Sequence, residues 1–214
     1  MKFDKNLFVR MLDKAFESVR ENTEYLNQLD SGTGDGDHGT AAHAAYKAAA
    51  ESVKKAGTLA TTLETVGWDV MVNASGSTSS LSGAFFIGMS PKAVGEELDT
   101  DQVIEMFEAG LANVQSFSKA TVGDKTLMDA LIPALEAMKQ HKGRDASLVD
   151  VFNSAAEAAQ KGADSTLDLV AKHGRARNLG ERSRGHIDAG ATSTALVYRA
   201  YAEAINENCT AEEK

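Results

Sequence analysis

Apolar residues return every three to four positions along most of this 214-residue chain, and strict alternation is nearly absent. That pattern predicts amphipathic helices packed around a core. Phe8, Leu12, Ala15, Val19 and Leu26 mark one face of a first helix within the segment Asn6 to Leu29. Leu59, Leu63, Val66 and Val70 mark another, and Val103, Phe107, Leu111 and Val114 a third that begins after Thr100. Ser147 to Asp150 reads as a capping box ahead of Val151, Phe152, Ala155 and Ala159. Segments 38–56, 78–89, 124–142 and 190–206 bring the expectation to roughly eight helices.

Prolines occur only at Pro91 and Pro133, and alanine is abundant, which favours an all-α domain. No Pro-, Gly- or Ser-rich linker divides the chain, and Pro91–Thr100 is short enough to be a loop. The expected organisation is a single domain over 1–214, with residues 207–214 a polar tail that frays.

The segment that breaks the helical pattern most strongly is Asp30-Ser-Gly-Thr-Gly-Asp-Gly-Asp-His-Gly39. Four glycines among ten residues exclude a regular helix or strand. Asp30, Asp35 and Asp37 can therefore converge, and three carboxylates brought together repel unless a cation neutralises them. Hard oxygen ligands favour Mg²⁺ or Ca²⁺, and Mg²⁺ held by few carboxylates usually also grips phosphate. Gly34-x-Gly36-x-x-Gly39 matches the dinucleotide fingerprint by letter, but helix precedes it where that motif needs a strand. The loop lacks the ligand spacing and terminal Glu of an EF-hand. The structural alternative is a turn in which each Asp bonds its own backbone.

Charge narrows the partners. Lys and Arg number 22 against 31 Asp and Glu, a formal net charge of −9. Nucleic acid and anionic membrane are excluded as main partners, and no apolar run approaches the ~20 residues of a membrane span. The single cysteine, Cys209, excludes an internal disulfide, and the N-terminus shows no signal-peptide core, so a cytoplasmic setting is expected.

Three further segments carry candidate chemistry. Ser75-Gly-Ser-Thr-Ser-Ser-Leu-Ser-Gly83 offers hydroxyls and amides at a helix start, suited to an anion or simply to capping. Lys119 to Asp129 places Asp124 and Lys125 at a predicted helix opening. Lys125 there either touches phosphate or, as the favoured reading, stands in solvent while Asp124 caps the helix. Gly174 to Ser193 crowds Arg175, Arg177, Arg182 and Arg184 into a glycine-broken loop of an acidic chain, and arginine forks suit phosphate or carboxylate. His186 and Asp188 there form either a metal or acid–base pair, or hydrogen bonds that hold the loop backbone.

Taken together, these segments resemble the nucleotide-binding L subunit of bacterial dihydroxyacetone kinase from about Phe8 to Ala202. The motifs that carry the likeness are Gly34-Asp-Gly-Asp-His-Gly39 with Asp30 upstream, Gly123-Asp-Lys-Thr-Leu-Met-Asp-Ala130, and Leu179 to Ser193. The resemblance implies a barrel of eight antiparallel helices binding ADP or ATP at one end. It implies two Mg²⁺ ions held by Asp30, Asp35 and Asp37, the centre of phosphoryl transfer. It also implies that His38, Gly39, Thr40 and Ala41 meet the phosphates and that Ser77 and Thr78 occupy the family's Ala-Ser position. Ser118 takes the place of a family glycine. Leu127 would line the base pocket, Arg175 would reach the nucleotide, and Asp188, Ala189 and Gly190 would close over it. Departures from the family pattern are the Ser75–Ser79 loop, Ala189 in place of proline, and Arg177-Asn178.

On this reading the chain is a kinase subunit acting on a keto-sugar that a separate K subunit holds, because no residue here stands out as nucleophile or general base. The phosphoryl source is either a phosphotransferase-system phosphocarrier (the M subunit) recharging bound ADP, or free ATP. A homodimer is compatible with either. The competing readings are a related small-ketose kinase such as an erythrulose kinase, the fatty-acid kinase branch, and a non-catalytic metal-stabilised interaction module.

Overall fold

The computed structural model describes residues 1–212. Nine α-helices are present among the described residues: α1 (Lys5–Glu21), α2 (Thr23–Ser31), α3 (His38–Ser52), α4 (Leu59–Asn73), α5 (Gly76–Met89), α6 (Thr100–Phe117), α7 (Met128–Lys139), α8 (Leu148–Ser165) and α9 (Ala189–Glu212). Eight of them, all but α2, form a closed ring in which each packs on the next and α9 returns to α1. The expected all-α barrel is therefore the architecture observed. Strand structure is limited to β1 (Phe3–Asp4) and β2 (Glu97–Leu98), antiparallel with Phe3 opposite Leu98.

Local sequence explains where these helices begin. The Asp4 carboxylate caps α1 by accepting from the Leu7 amide at 2.7 Å. Asp99 and Gln102 form a full capping box on α6, and Ser147 and Asp150 form the predicted one on α8. Such caps satisfy amides that the first turn leaves without intrahelical partners. The first predicted helix differs from expectation, because it breaks at Asn22. Asn22 Nδ2 donates to the Ser18 carbonyl at 2.8 Å and Thr23 Oγ1 to the Val19 carbonyl at 3.0 Å. These side chains compete with the helical ladder, and the chain turns into α2, which packs on α3 and delivers Asp30.

The predicted helix over 124–142 also shortens to Met128–Lys139. The Asp129 carboxylate accepts from Gly123 N at 2.6 Å and Thr126 N at 2.7 Å, which winds residues 123–127 into a turn. The final helix continues to Glu212. The expected frayed tail over 207–214 thus covers helical residues and, at 213–214, lies outside the described residues.

An aromatic cluster fills the barrel. Phe107 is 1% exposed and meets Phe85, Phe152, Tyr198 and Tyr201 edge-on, with centroids 5.3 to 6.5 Å away. These contacts join α5, α6, α8 and α9 across the interior, and edge-on rings add to the burial energy. Replacing Phe107 with alanine should cost about 3–5 kcal/mol. Urea unfolding followed by circular dichroism should show the midpoint falling with little change in slope.

Candidate functional site

In an up-and-down ring, alternate connections emerge at the same end. Here these are residues 32–37, 74–75, 118–127 and 166–188, and they enclose a cleft of about 700 Å³. All of the chemically distinctive segments of the sequence belong to this set. The β1–β2 pairing and the 140–147 connection belong to the other end.

The aspartate loop is organised by Asp30 at the end of α2. Its Oδ2 accepts from Gly36 N at 2.8 Å and Asp37 N at 3.1 Å, and its carbonyl accepts from Gly34 N at 2.6 Å. A β-carbon on Gly34 would stand 2.2 Å from Asp30 Oδ1, so this curl requires glycine. The result brings oxygens of Asp30, Asp35 and Asp37 within 4.8 Å of one another, the one such group of acidic, His or Cys ligands among the described residues. Asp37 precedes α3 yet makes no capping bond, which leaves its carboxylate available. Three hard oxygen donors on a loop at a helix N-terminus fit a Mg²⁺-like ion beside phosphate.

Gly39 is buried where α3 crosses α2, and a β-carbon there would lie 2.0 Å from the Thr23 carbonyl. Thr40 N donates to Asn27 Oδ1 at 3.1 Å. Neither Gly39 nor Thr40 faces the main cleft: Thr40 lines an adjoining groove with Asp37, Ala44 and Val72. His38 and Ala41 do line the cleft. His38 Nε2 is 2.9 Å from Ser193 Oγ, and burial lowers its pKa, with the charges of Asp30 and Asp37 opposing that shift.

The second wall is the start of α5, where Ser75, Gly76, Ser77 and Thr78 line the cleft. The hydroxyl of Ser79 turns away to the Ser75 carbonyl at 2.9 Å. An apolar side is supplied by Leu81, Ala120, Leu127 and Met128, with Ser118 among them. Opposite, Arg175 reaches across the mouth, its Nη2 2.7 Å from Asp35 Oδ2. Asp188, Ala189 and Gly190 lie at the start of α9 and also line the cleft.

Two sequence expectations are corrected in the 123–127 turn. Asp124 does not cap α7. It is buried, accepts from Thr121 N at 2.9 Å, and pairs with Lys172 at 2.8 Å and His173 at 3.3 Å. Lys125 does not stand in solvent. It is 2% exposed, and its Nζ donates to the carbonyls of Thr166 and His186. Asp188 likewise serves backbone order, since its carboxylate accepts from Ala191 N at 2.7 Å. Gly34, Thr126, Met128 and His173 also line the cleft, although the sequence reading did not select them. Gly34, Thr126 and Met128 stand inside the Gly34–Gly39 and Gly123–Ala130 motifs, and His173 directly precedes the arginine-rich segment.

Fold and cleft together define an all-helical barrel whose open end is suited to a divalent cation and phosphate groups. The chain belongs to the DAK2 domain family, whose model matches residues 32–203. It is 34% identical over 202 residues to "PEP-dependent dihydroxyacetone kinase 1, ADP-binding subunit DhaL" of Listeria innocua, spanning 94% of this chain and 96% of that protein. It is 36% identical over 210 residues to the L-erythrulose kinase of Pectobacterium atrosepticum, spanning 93% of this chain but 35% of that one. A crystal structure of the dihydroxyacetone kinase from C. freundii in complex with AMP-PNP and Mg²⁺ superposes with a TM-score of 0.70 at 27% identity. That match covers 95% of this chain and 34% of the other, so this chain spans about a third of the C. freundii enzyme.

Burial raises the Asp188 carboxyl to about 6, and the charges of Asp129 and Asp30 add to the shift, while the Ala191 amide and Lys125 oppose it. The unfolded chain then loses this proton near the ordinary value of 3.8 and the folded chain only near 6. This group therefore makes stability fall as pH rises from about 4 to 6. Asp188→Asn keeps a capping acceptor and removes the titration. Denaturant unfolding in EDTA across that range should show a flatter pH dependence in the variant, and parallel curves would contradict the assignment.

Proposed function

We propose that this chain is the nucleotide-carrying subunit of a dihydroxyacetone-type kinase, presenting a Mg²⁺–nucleotide to a keto-sugar bound on a separate K-type subunit. The observation that carries the reading is the convergence of Asp30, Asp35 and Asp37 at the mouth of a cleft lined by the starts of α3, α5, α7 and α9. The names of the relatives support it, since those of matching length are described as ADP-binding subunits. In this reading the K subunit fixes the sugar. Erythrulose kinases among the relatives make an erythrulose-type substrate the second reading.

In this proposal Asp30, Asp35 and Asp37 hold two Mg²⁺ ions, which when bound would neutralise charge on the transferring phosphoryl group. The starts of α3 and α5 turn the positive ends of their helix dipoles toward the phosphates, with His38, Ala41, Ser77 and Thr78 along the cleft wall. Gly39 and Thr40 act by fixing that helix start and not by lining the cleft. Leu127, with Leu81 and Met128, packs the base, and Ser118 borders it. Arg175 turns its guanidinium to the phosphate side, where a planar fork suits phosphate oxygens. Asp188, Ala189 and Gly190 form the edge that closes over the nucleotide. His38 and Asp188 are occupied by Ser193 and Ala191. The group that activates the sugar hydroxyl is therefore assigned to the partner.

We further infer that ADP stays bound and is recharged by a phosphotransferase-system phosphocarrier, in keeping with the PEP-dependent relatives, and that the subunit works in the cytoplasm. Among the described residues no helix is long and apolar enough to cross a membrane. Exhaustive dialysis followed by nucleotide quantification tests the first point: retained ADP supports recharging in place, and an empty protein favours exchange with free ATP.

Asp35→Asn or Asp37→Asn should weaken Mg²⁺–ADP binding at least tenfold by calorimetry. The melting temperature in EDTA should be retained or raised, because carboxylate repulsion falls. Wild-type affinity in either variant would count against the metal assignment.

The isolated chain with ATP and Mg²⁺ should not phosphorylate dihydroxyacetone, and turnover should appear when a K-type subunit is added. Arg182→Glu, at an exposed position, should reduce turnover of the complex more than nucleotide binding. Arg184 is a poorer probe because it already holds the Asp168 carbonyl and Glu181. Steady turnover by the single chain would overturn the partner requirement.

A further inference from the structure

Among the described residues Lys125 is one of two non-glycine residues at positive φ, with φ of 61°. That backbone conformation is unfavourable for a side chain bearing a β-carbon, and here it turns the lysine inward. The turn is fixed on both sides by carboxylates. Asp129, fully buried, takes the amides of Gly123 and Thr126, and Asp124 takes that of Thr121. The ammonium thus reaches an interior position where desolvation is costly and must be offset by acceptors and counter-charge. The acceptors are the main-chain carbonyls of Thr166 and His186, and the counter-charges are Asp188 and Asp129.

Both carbonyls belong to the long α8–α9 connection, at its two ends. Thr166 is a hub there: its carbonyl takes Lys125, and its hydroxyl accepts from Asp188 N at 2.9 Å. Gly185 N donates to the Leu167 carbonyl at 2.8 Å, closing the same link. From the outer side of the turn, the Asp124 carbonyl accepts from Lys172 N at 3.1 Å and its carboxylate holds the Lys172 and His173 side chains. The segment so gripped from both sides carries Arg175 and runs into the start of α9.

We propose that Lys125 is a positioning residue for the nucleotide: its buried ammonium ties the two ends of the 166–188 connection together and thereby holds Arg175 and the Asp188–Gly190 edge over the cleft. This rests on the nucleotide-binding reading above. An apolar residue of similar volume would fill the space but would leave the His186 carbonyl without a donor and the Thr166 carbonyl with the Leu169 amide alone, and the connection would open.

The test compares wild type with Lys125→Met, which keeps the stem and removes the charge. Calorimetry with Mg²⁺–ADP and amide hydrogen exchange without nucleotide are measured on the isolated chain. The expected result is at least a tenfold loss of affinity, with faster exchange confined to 166–190 and unchanged protection in α4, α5 and α6. A generally destabilising change would instead speed exchange throughout. Affinity within twofold of wild type overturns the proposal. So does lost affinity with unchanged exchange in 166–190, which would make Lys125 a direct ligand. If Lys125→Met does not fold, exchange in the wild type decides: amides of 184–188 must be protected nearly as well as the helix interiors, and exchange as fast as that of an exposed loop overturns the proposal. Failure of the wild type to bind Mg²⁺–ADP would count against the functional reading alone, since the exchange measurement does not depend on it.

Discussion

Closure of the ring is the constraint on which the site depends. Eight helices that alternate direction must send every second connection to the same end, and α9 must return to α1 to bury the apolar face of each. Four connections, each about forty residues from the next, are thereby brought around one cleft. The aromatic cluster centred on Phe107 matters to function for this reason, although none of its rings lines the cleft. It fixes the separations among α5, α6, α8 and α9, and hence the distances between the loops they carry.

The cleft is an electrostatic compromise within an acidic chain. Three carboxylates converge at its mouth and two more, Asp129 and Asp188, stand beneath. Against them the structure sets the ends of α3 and α5, the guanidinium of Arg175 on Asp35, and the interior ammonium of Lys125. The cations differ in kind. Arg175 is exposed and able to change partners, whereas Lys125 is committed to main-chain carbonyls. A site of this sort favours a divalent cation, and a cation held by few carboxylates in turn attracts phosphate oxygens.

Much was legible from the chain alone. The helical period, the capping box at Ser147 and the glycine-threaded aspartates at 30–37 depend on residues close in sequence, whose physics is local. Those patterns determined an all-α protein, the positions of most helices, and a glycine-rich loop on which three carboxylates converge. The same locality explains the errors at helix ends. The break at Asn22 and the late start of α7 arise from side chains competing for main-chain groups, and a periodic pattern does not register that competition.

The tertiary structure decided what depends on contacts between distant segments. Asp124 and Lys125 are adjacent, and local propensity would place one at a helix cap and the other in water. Their partners instead lie about 40 to 60 residues away, at Thr166, Lys172 and His186, and only the return of the α8–α9 connection across the barrel end brings them there. Gly39 and Thr40 likewise belong to a motif by sequence but face α2 and not the cleft, because the helix start they occupy is wedged against Thr23 and Asn27. Sequence determined which residues carry chemistry, since that is a property of their side chains. Packing decided which of them point into the cleft and which hold it in shape, since burial and hydrogen-bond partners exist only once the ring has closed.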